Sequence, residues 1–292
     1  MIGKALVRVL AVDQPPEVPD DPPFEDPAAV DRFFRDARPE YVFLVAGKTA
    51  GIRGNQECPA DLMADNTLVA AHVIPAAWRH GVKKLLYLAS SCIYPKLAPQ
   101  PLSVGALWSG ALEPTSAPYA VAKLTGVALC DAYRRQHGAR FISAIAADAY
   151  GPEDDFTPER SHVVGGLIRR IHDAHVTQAS TVSIWGSGAP RREFIYVDDL
   201  ADACAFAMRQ YDAPEPVNLG VGSSTSIAEL AAMVQEVVGY CGTLGFDRSR
   251  PDGTPLKGLD SSRIHGLGWR PSWDLRRGLS STYAWFLAHA AR

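Results

Sequence analysis

The chain of 292 residues is long enough to enclose a large hydrophobic core in one domain or two. A composition of 47% hydrophobic and 21% charged residues is typical of a soluble globular protein, and a net charge of -3 predicts neither a nucleic-acid partner nor a membrane partner. No apolar run approaches the roughly 20 residues of a membrane span, and no signal peptide is evident. The 5 cysteines form no C-x-x-C pair, so we expect a cytoplasmic protein.

The N-terminal part of the chain is predicted to alternate between helices and buried strands. Residues 7–12 could form a strand or residues 3–10 a helix, whereas the proline-rich acidic run 15–23 favours an extended loop. A helix over residues 27–38 is favoured by Asp26 as its N-cap, with proline directly after it. The pattern then predicts a strand over 41–46, a loop over 47–54, a helix over 61–80, a strand over 84–89, a long loop, a helix over 119–137 and a strand over 141–147.

Shorter elements are predicted after Pro152, beginning with a polar loop. The pattern favours helices over 162–175, 198–211, 226–238 and 275–291, strands over 182–186, 194–197 and 217–219, a basic turn over 188–193 and a turn-rich loop over 250–257. Alternation of this kind is typical of an α/β protein with a Rossmann-like, doubly wound parallel sheet. We predict that 1–152 plus about 181–211 form this domain, and that about 153–180 plus 212–292 form a smaller α/β substrate domain.

A tyrosine and a lysine at helical spacing are the first candidates for chemistry. Tyr119 and Lys123 lie four residues apart, which places their Cβ atoms about 6 Å apart on one helix face. The ammonium is expected to lower the phenol pKa from its reference of about 10. Such a pair can pass a proton to or from a carbonyl oxygen or a hydroxyl. By itself the spacing is equally typical of an exposed amphipathic helix.

Polar residues follow the buried strand over 84–89, at the strand end where open α/β sheets bind ligands. These are Ser90 and Cys92. Taken singly, Cys92 and Trp185 are more typical of a core, His162 of a helix cap or a core, and paired arginines of a solvated surface. Only the joint occurrence of these residues in one order favours a site.

Several short sequence words carry a resemblance that runs from about residue 28 to the C-terminus. The words are Ser90-Ser91-Cys92-Ile93-Tyr94-Pro95-Lys96, Leu112-Glu113-Pro114-Thr115, Pro118-Tyr119-Ala120-Val121-Ala122-Lys123, Tyr150-Gly151-Pro152, Ser161-His162-Val163, Trp185-Gly186-Ser187-Gly188, Arg191-Arg192-Glu193-Phe194, Val197-Asp198-Asp199-Leu200 and Pro251-Asp252-Gly253-Thr254-Pro255. With these words the chain resembles the extended short-chain dehydrogenase/reductase (NAD-dependent epimerase/dehydratase) superfamily, and within it the GDP-L-fucose synthase branch.

The resemblance implies an activity on a keto-sugar. Members of the branch invert C3 and C5 of GDP-4-keto-6-deoxymannose and then reduce C4 with NADPH. By resemblance, Ser90 bonds the C4 oxygen, Tyr119 protonates it and Lys123 holds the cofactor ribose, while Cys92 and His162 form the acid/base pair of epimerisation. A thiol of reference pKa ~8.5 and an imidazole of ~6.5 are suitable proton exchangers near neutral pH.

The resemblance also implies residues that bind ligands. The nucleotide sugar would be held by Arg170, Trp185, Arg192, Asp252 and Lys257. The cofactor, NADP, would be held by Gly3, Leu88, Ser90, Lys123, Ala146, Asp148 and His162. No metal site is predicted. A homodimer through the helices over 61–80 and 119–137 is the expected assembly.

Two departures from the branch stand out. The chain starts at what corresponds to the last glycine of the cofactor fingerprint, Gly3, so the first strand and the Gly-rich turn are expected to be missing. Nearby carboxylates would also repel the 2′-phosphate of NADP. These carboxylates are Asp20, Asp21, Glu25 and Asp26. Asp148 replaces an asparagine, and an ionised carboxylate only accepts hydrogen bonds. Asp148 is therefore expected to face a cation or a donor, or the ligand differs from a nucleoside-diphosphate sugar.

Three functions remain open from the sequence. The first is an epimerase/reductase of a 4-keto-6-deoxy nucleotide sugar. The second is a nicotinamide-independent epimerase, isomerase or lyase of a carbonyl substrate that has lost hydride transfer. The third is a non-catalytic subunit that acts as a partner or binds a ligand.

Overall fold

The elements of the protein are taken from a computed structural model, which describes residues 1–11, 20–158, 160–250 and 252–291. The helices are α1 (Ile2–Leu10), α2 (Pro27–Ala37), α3 (Ile52–Glu57), α4 (Pro59–Arg79), α5 (Ala117–His137), α6 (Val163–Val176), α7 (Val197–Gln210), α8 (Ile227–Val238), α9 (Ser262–Gly266) and α10 (Leu275–His289). The strands are β1 (Tyr41–Leu44), β2 (Lys84–Ser90), β3 (Phe141–Ala146), β4 (Asp148–Tyr150), β5 (Thr181–Trp185), β6 (Arg191–Arg192), β7 (Phe194–Tyr196), β8 (Val217–Leu219), β9 (Thr225–Ser226), β10 (Thr243–Asp247) and β11 (Leu256–Lys257).

The largest sheet is parallel, in the order β1-β2-β3-β8. Every residue of β2 except Ser90 is buried, which requires cover on both faces of the sheet. Helix α5 packs on β2 and β3 with α4 beside it, while α7 packs on β2 and α1 packs on α7. The predicted doubly wound, Rossmann-like parallel sheet is confirmed.

Local sequence signals explain several element boundaries. The Asp26 side chain accepts a hydrogen bond from the Ala28 amide at 2.8 Å, so the predicted N-cap of α2 is confirmed. Ser226 and Glu229 form the reciprocal capping box at the start of α8. Of the two alternatives near the N-terminus, the structure has the helix, α1.

Some predicted boundaries are wrong. The loop predicted over 47–54 is shorter because α3 begins at Ile52. The turn predicted over 188–193 contains β6, which pairs in parallel with β11 inside the predicted loop 250–257. Strand β10 and helix α9 were not predicted. Most of the proline-rich run, residues 15–19, lies outside the described residues.

Two hydrophobic clusters lie side by side. The first surrounds the parallel sheet and includes Leu86, Ile145 and Val217. The second includes Ile184 of β5, which pairs with β10, and Leu167 of α6, which packs on α8. The predicted division of the chain into two domains stays a prediction.

A buried carboxylate fastens the two clusters together. Asp199 in the first turn of α7 is 4% exposed, and it accepts hydrogen bonds from the Ser272 amide at 3.0 Å and the Trp273 amide at 2.9 Å. These amides precede α10, whose Leu279 and Phe286 belong to the second cluster. Because each amide would otherwise be an unsatisfied donor, the carboxylate fixes the position of this segment on α7.

Candidate active site

A cavity of about 1340 Å³ opens where the carboxyl ends of the parallel strands meet the second cluster. This is the edge at which open α/β sheets bind ligands. All the residues that were predicted for the site line it, namely Gly3, Leu88, Ser90, Cys92, Tyr119, Lys123, Ala146, Asp148, His162, Arg170, Trp185, Arg192, Asp252 and Lys257. The fold therefore gathers side chains that lie far apart in the sequence into one chamber.

Tyr119 and Lys123 stand on consecutive turns of α5, as the spacing predicted. Lys123 is 6% exposed, and its Nζ donates to the Leu88 carbonyl oxygen at 3.3 Å and lies 5.3 Å from the ring centre of Tyr87. Burial lowers the pKa of Lys123 to about 8. This lysine holds a proton near neutral pH and has donors free of backbone partners within the described chain.

The expectation that Lys123 lowers the pKa of Tyr119 is wrong for this structure. Burial raises the pKa of Tyr119 far above its ordinary value, while the nearby thiol of Cys92 adds to the rise and a hydrogen bond with Thr49 opposes it. Burial dominates because the phenolate would be taken out of water, and Lys123 is not among the groups that shift this pKa. Tyr119 is therefore a firmly protonated phenol, suited to donate rather than to accept a proton.

The segment after β2 presents a hydroxyl and a thiol. Ser90 ends the strand, and Cys92 lies in the short 3₁₀ turn Ser91–Ile93 that follows. Burial raises the pKa of the Cys92 thiol, and a hydrogen bond with Ser90 and the charge of Lys257 offset that rise only in part. The thiol is thus protonated near neutral pH and available as an acid.

His162, the N-cap residue of α6, also lines the cavity. Its Nε2 is 3.1 Å from the Thr49 hydroxyl oxygen. Asp154 is a second acidic group at this end of the cavity, and burial raises its pKa to about 6 although the nearby His162 opposes the rise. The Oδ2 atom of Asp154 is buried without a hydrogen-bond partner in the described part of the chain. Burial therefore brings the pKa values of two groups in the cavity, Lys123 and Asp154, closer to neutrality.

Asp148 faces a cation, which is one of the two outcomes expected from its replacing an asparagine. Its Oδ1 lies 3.0 Å from Lys257 Nζ, which also donates to the Ser91 hydroxyl at 3.1 Å. Although burial works to raise it, the pKa of Asp148 lies below its ordinary value because Lys257 and Arg192 stabilise the carboxylate. The carboxylate and the ammonium partly cancel each other's charge at this wall of the cavity.

An aromatic wall lies at the far end of the cavity. Trp185 is 49% exposed, and the guanidinium carbons of Arg170 and Arg250 lie 5.9 Å and 5.0 Å from its ring centre. Arg170 also donates to the Ser183 carbonyl oxygen at 3.0 Å. A flat ring beside two cations can stack a nucleobase or a sugar and attract a phosphate.

The polar groups of two predicted ligand-binding residues are partly engaged within the protein. Arg192 donates to the Thr254 carbonyl oxygen at 2.6 Å. Asp252 accepts from the Ser187 amide at 2.6 Å and from the Ser187 hydroxyl at 2.8 Å. Both line the cavity, but Asp252 also holds the turn after β5 in place.

Glu193 supports the wall that carries Arg192 and Lys257, and no role was predicted for it. It is 2% exposed, and its carboxylate accepts from the Gly222 amide at 2.7 Å and from the Leu259 amide at 2.6 Å. Its backbone amide bonds the Lys257 carbonyl oxygen at 3.1 Å. A buried carboxylate with amide donors fixes β6 and β11 relative to each other.

Sequence reasoning also missed Thr49 and Asn66. Thr49 lies in the loop after β1, a strand that was predicted, and the rule that ligands gather at such strand ends would have indicated it. Asn66 is buried in α4, and its Nδ2 donates to the Lys48 carbonyl oxygen at 2.8 Å. No short motif in the sequence marks either residue.

The residues near the N-terminus fit a dinucleotide. The first turn of α1, which includes Gly3, lines the cavity and has no side-chain cap within the described chain, so its amides can meet a pyrophosphate. Gly47 has a φ of 146°, and a Cβ there would lie 2.3 Å from Asn66 Oδ1 and 3.2 Å from Lys123 Nζ. Asn66 Oδ1 is a buried acceptor without a partner in the described part of the chain. Because Gly47 has no side chain, space remains beside Lys123 Nζ and Asn66 Oδ1. A donor and an acceptor of this kind suit the hydroxyls of a ribose.

A doubly wound sheet with a serine at a strand end, and with a tyrosine and a lysine four residues apart on the helix packed beside that strand, defines a class of nicotinamide-dependent epimerases and reductases. The chain belongs to the NAD dependent epimerase/dehydratase family, whose model matches residues 20–220.

Within this family the chain is similar to GDP-L-fucose synthases. It is 52% identical over 260 residues to GDP-L-fucose synthase 1 of Arabidopsis thaliana, covering 89% of this chain and 80% of that protein. It is 43% identical over 305 residues to GDP-L-fucose synthase of Escherichia coli K12, covering 100% of this chain and 95% of that protein. Among solved structures, a GDP-mannoheptose C4 reductase from Campylobacter jejuni with NADP bound matches with a TM-score of 0.88 at 31% identity, covering 98% of this chain and 95% of that one.

These similarities favour the epimerase/reductase hypothesis over the nicotinamide-independent enzyme and the non-catalytic subunit. Within the described residues, no group of three or more His, Cys, Asp or Glu side chains is arranged to hold a metal ion. None of the described helices has the length and apolar character needed to cross a bilayer.

Proposed function

We propose that the chain is an NADP-dependent epimerase/reductase that converts a GDP-bound 4-keto-6-deoxy sugar by epimerisation at C3 and C5 and reduction at C4. The observation that carries the proposal is that one cavity holds Ser90, Tyr119 and Lys123 together with Cys92 and His162. The first three suit a ketone reduction, and the other two suit proton exchange beside that ketone. The similarity to GDP-L-fucose synthases supports the GDP-sugar as substrate.

For the reduction, Tyr119 donates its proton to the C4 oxygen while Ser90 hydrogen-bonds the same oxygen. The raised pKa of Tyr119 suits this role because the phenol remains protonated until an alkoxide forms beside it. NADPH, when bound, supplies the hydride. Lys123 holds the cofactor ribose, since its buried Nζ retains donors beyond the bond to the Leu88 carbonyl oxygen.

For the epimerisation, Cys92 and His162 exchange protons at the carbons beside the ketone. Removing such a proton generates an enolate, whose oxygen the Ser90 and Tyr119 hydroxyls stabilise. Cys92 lies just after β2 and His162 lies at the start of α6. The two groups thus enter the cavity from different elements, and inversion of a carbon would place one of them on each face of it.

The ligand-binding roles follow the walls of the cavity. Trp185 with Arg170 would receive the nucleotide end of the substrate, and Arg192 and Lys257 would receive its diphosphate. Asp252 would fix the turn on which Trp185 stands. Gly3, Leu88, Ser90, Lys123, Ala146, Asp148 and His162 would line the NADP side, and the NADP-bound reductase from Campylobacter jejuni supports that cofactor.

We propose a homodimer in a reducing, cytoplasmic setting. Helices α4 and α5 pack against each other, and Trp78 at the end of α4 is 40% exposed while it stacks on His137 of α5 at 4.1 Å. An exposed aromatic pair at the ends of paired helices suits a subunit interface. All five cysteines are free, and the Cys92 thiol must stay reduced to act. Light scattering of the purified chain measures its mass in solution.

The test is to separate the two half-reactions with GDP-4-keto-6-deoxymannose. Wild-type protein should oxidise NADPH with this substrate and, without nicotinamide, should incorporate solvent deuterium at C3 and C5. Tyr119→Phe should abolish NADPH oxidation and retain slowed deuterium uptake, whereas Cys92→Ala should abolish uptake. Tyr41→Phe, at an exposed position of β1, is the matched control. Wild-type protein that shows neither reaction would refute the proposal.

A further inference from the structure

Strand β11 carries Lys257, and the backbone of β6 bonds only one of its two edges. The Glu193 amide donates to the Lys257 carbonyl oxygen at 3.1 Å on that edge. Because successive residues of a strand direct their backbone groups to opposite edges, the Leu256 carbonyl and the Gly258 amide face away from β6. These two groups need partners from another part of the chain.

The side chain of Gln100 supplies both partners. Its Nε2 donates to the Leu256 carbonyl oxygen at 3.0 Å, and its Oε1 accepts from the Gly258 amide at 3.1 Å. A primary amide presents a donor and an acceptor side by side, so it pairs with the free edge of β11 as a neighbouring strand would. The two bonds fall on the residues that flank Lys257, and they fix the backbone on which this lysine stands.

The backbone that follows Gln100 continues the same pairing. The Leu102 amide donates to the Gly258 carbonyl oxygen at 2.7 Å, and the Asp260 amide donates to the Leu102 carbonyl oxygen at 3.0 Å. Asn218, which is 2% exposed, donates through Nδ2 to the carbonyl oxygens of Leu102 and Asp260 at 2.8 Å and 3.0 Å. Gln100 therefore stands on a segment that is itself fixed to the chain beyond β11.

The far end of the Lys257 side chain is held by the same segment. Lys257 Nζ donates to the Ser91 hydroxyl oxygen at 3.1 Å, and Ser91 directly precedes Cys92 in the turn after β2. Gln100, Cys92 and Lys257 all line the cavity. The segment from Ser91 to Gln100 thus bonds Lys257 at its ammonium and beside its backbone, and it also carries the thiol of the proposed epimerisation.

We propose that Gln100 is a positioning residue, which holds β11 so that the Lys257 ammonium is in place for the diphosphate of the substrate. An ammonium on a long side chain binds a phosphate better when its position is set in advance, because ordering such a side chain on binding costs free energy. Without the Gln100 amide, the backbone beside Lys257 loses both bonds on its outer edge. The inference rests on the proposed function, because it takes Lys257 as a ligand of the diphosphate.

The test uses Gln100→Met, which keeps the length of the side chain and removes both hydrogen bonds. Lys257→Met should lower GDP affinity by about 10- to 100-fold, the range for the loss of a hydrogen bond to a charged group, and Gln100→Met should lower it by about 10-fold. Calorimetric titration of GDP measures both. In turnover, Gln100→Met should raise KM for the keto-sugar by a similar factor and leave kcat within a few fold of wild type.

A double-mutant cycle separates positioning of Lys257 from general support of the loop. In the Lys257→Met background, Gln100→Met should cause no further loss of GDP affinity, because Gln100 acts through the lysine. A role in loop structure alone would lower the affinity equally in both backgrounds, and that result would overturn the inference. Gln210→Met, at an exposed position at the end of α7 and outside the cavity, is the matched control.

Two further measurements complete the test. NADPH binding, followed by fluorescence, should be unchanged in Gln100→Met, and a parallel loss of NADPH binding would overturn the inference because it indicates damage to the whole cavity. Unchanged GDP affinity in Gln100→Met, or wild-type protein that does not bind GDP, would overturn it as well. If wild-type protein binds GDP without turning over the keto-sugar, the proposed function falls, while the affinity cycle still decides the role of Gln100.

Discussion

Asp148 Oδ1 and Lys257 Nζ lie 3.0 Å apart, and this pair places a carboxylate next to a cation that is proposed to bind the diphosphate. The substrate must therefore compete with Asp148 for Lys257 or bind beside the pair. Because the two side chains are half-buried, their interaction is screened less than that of a surface pair. Asp148 thus lowers the positive charge that the cavity offers to a ligand.

We expect Asp148→Asn to strengthen GDP binding by about 10-fold, or about 1.4 kcal/mol, because Lys257 is released toward the diphosphate. The gain should shrink at high salt. Calorimetric titration of GDP at two ionic strengths measures both effects, and Asp131→Asn on the outer face of α5 is the control. Weaker GDP binding would instead show that the carboxylate itself contacts the ligand.

Two buried lysines should respond in opposite ways to replacement by methionine. Lys84 Nζ donates to the carbonyl oxygen of Met208 at 2.6 Å at the end of α7, and also contacts Ala207 and Tyr211. Lys84→Met should destabilise the fold by about 2–4 kcal/mol, because these carbonyl groups lose their donor. Urea unfolding followed by circular dichroism measures this, and an unchanged midpoint would refute a structural role.

Lys123→Met should instead stabilise the fold by up to about 3 kcal/mol, since the drop of its pKa from 10.5 to about 8 reflects the cost of a buried charge. Below pH 8 the lysine is charged in both folded and unfolded states, and the cost is fully present. It fades as the pH rises toward 10.5, where both states are neutral. Urea unfolding at pH 7 and pH 10 checks the sign, and a variant less stable than wild type at pH 7 would contradict it.

NADP binding should weaken above about pH 8, because the Lys123 ammonium that donates to the ribose is lost as its pKa is passed. Affinity should fall by up to about 10-fold per pH unit. Fluorescence titration of NADPH between pH 6.5 and 9.5 measures this dependence. Lys123→Arg, which stays charged throughout, should show a flat profile, and a decline of equal size in that variant would assign the pH effect to another group.

Gly51→Ala should lower NADPH oxidation and deuterium uptake together by about 10-fold, because the added Cβ would meet the Ser161 backbone oxygen at 2.6 Å and separate Thr49 from His162. The thermal midpoint should change little, since the loop lies outside both hydrophobic clusters. Gly105→Ala serves as the control, because a Cβ at Gly105 would come no closer than 3.8 Å to another side chain. Normal rates in Gly51→Ala would show that the two segments can shift without cost.

The sequence predicted the parallel sheet because runs such as residues 85–89 of β2 are apolar, and it predicted the site because motif residues follow those strands. Strand β10 was missed since Gly245 lies in its interior, where glycine weakens a strand pattern, and its pairing with β5 is a contact between distant segments. The pKa of Tyr119 could not be inferred from spacing, because spacing fixes its distance from Lys123 but not its desolvation. Thr49 was missed because its partner, His162, lies 113 residues further along the chain.

The hydrogen bonds from the Ser272 and Trp273 amides to Asp199 join two hydrophobic clusters. The first includes the apolar residues of α5, the helix of Tyr119, and the second includes those of α6, which begins directly after His162. A shift of even 1 Å between the two clusters would stretch the 3.1 Å contact between the Thr49 hydroxyl and Nε2 of His162 beyond hydrogen-bond length. Enzymatic activity should therefore be more sensitive than helix content to the relative position of the two clusters. In dilute denaturant we expect the protein to lose its enzymatic activity while its far-ultraviolet circular dichroism spectrum remains native.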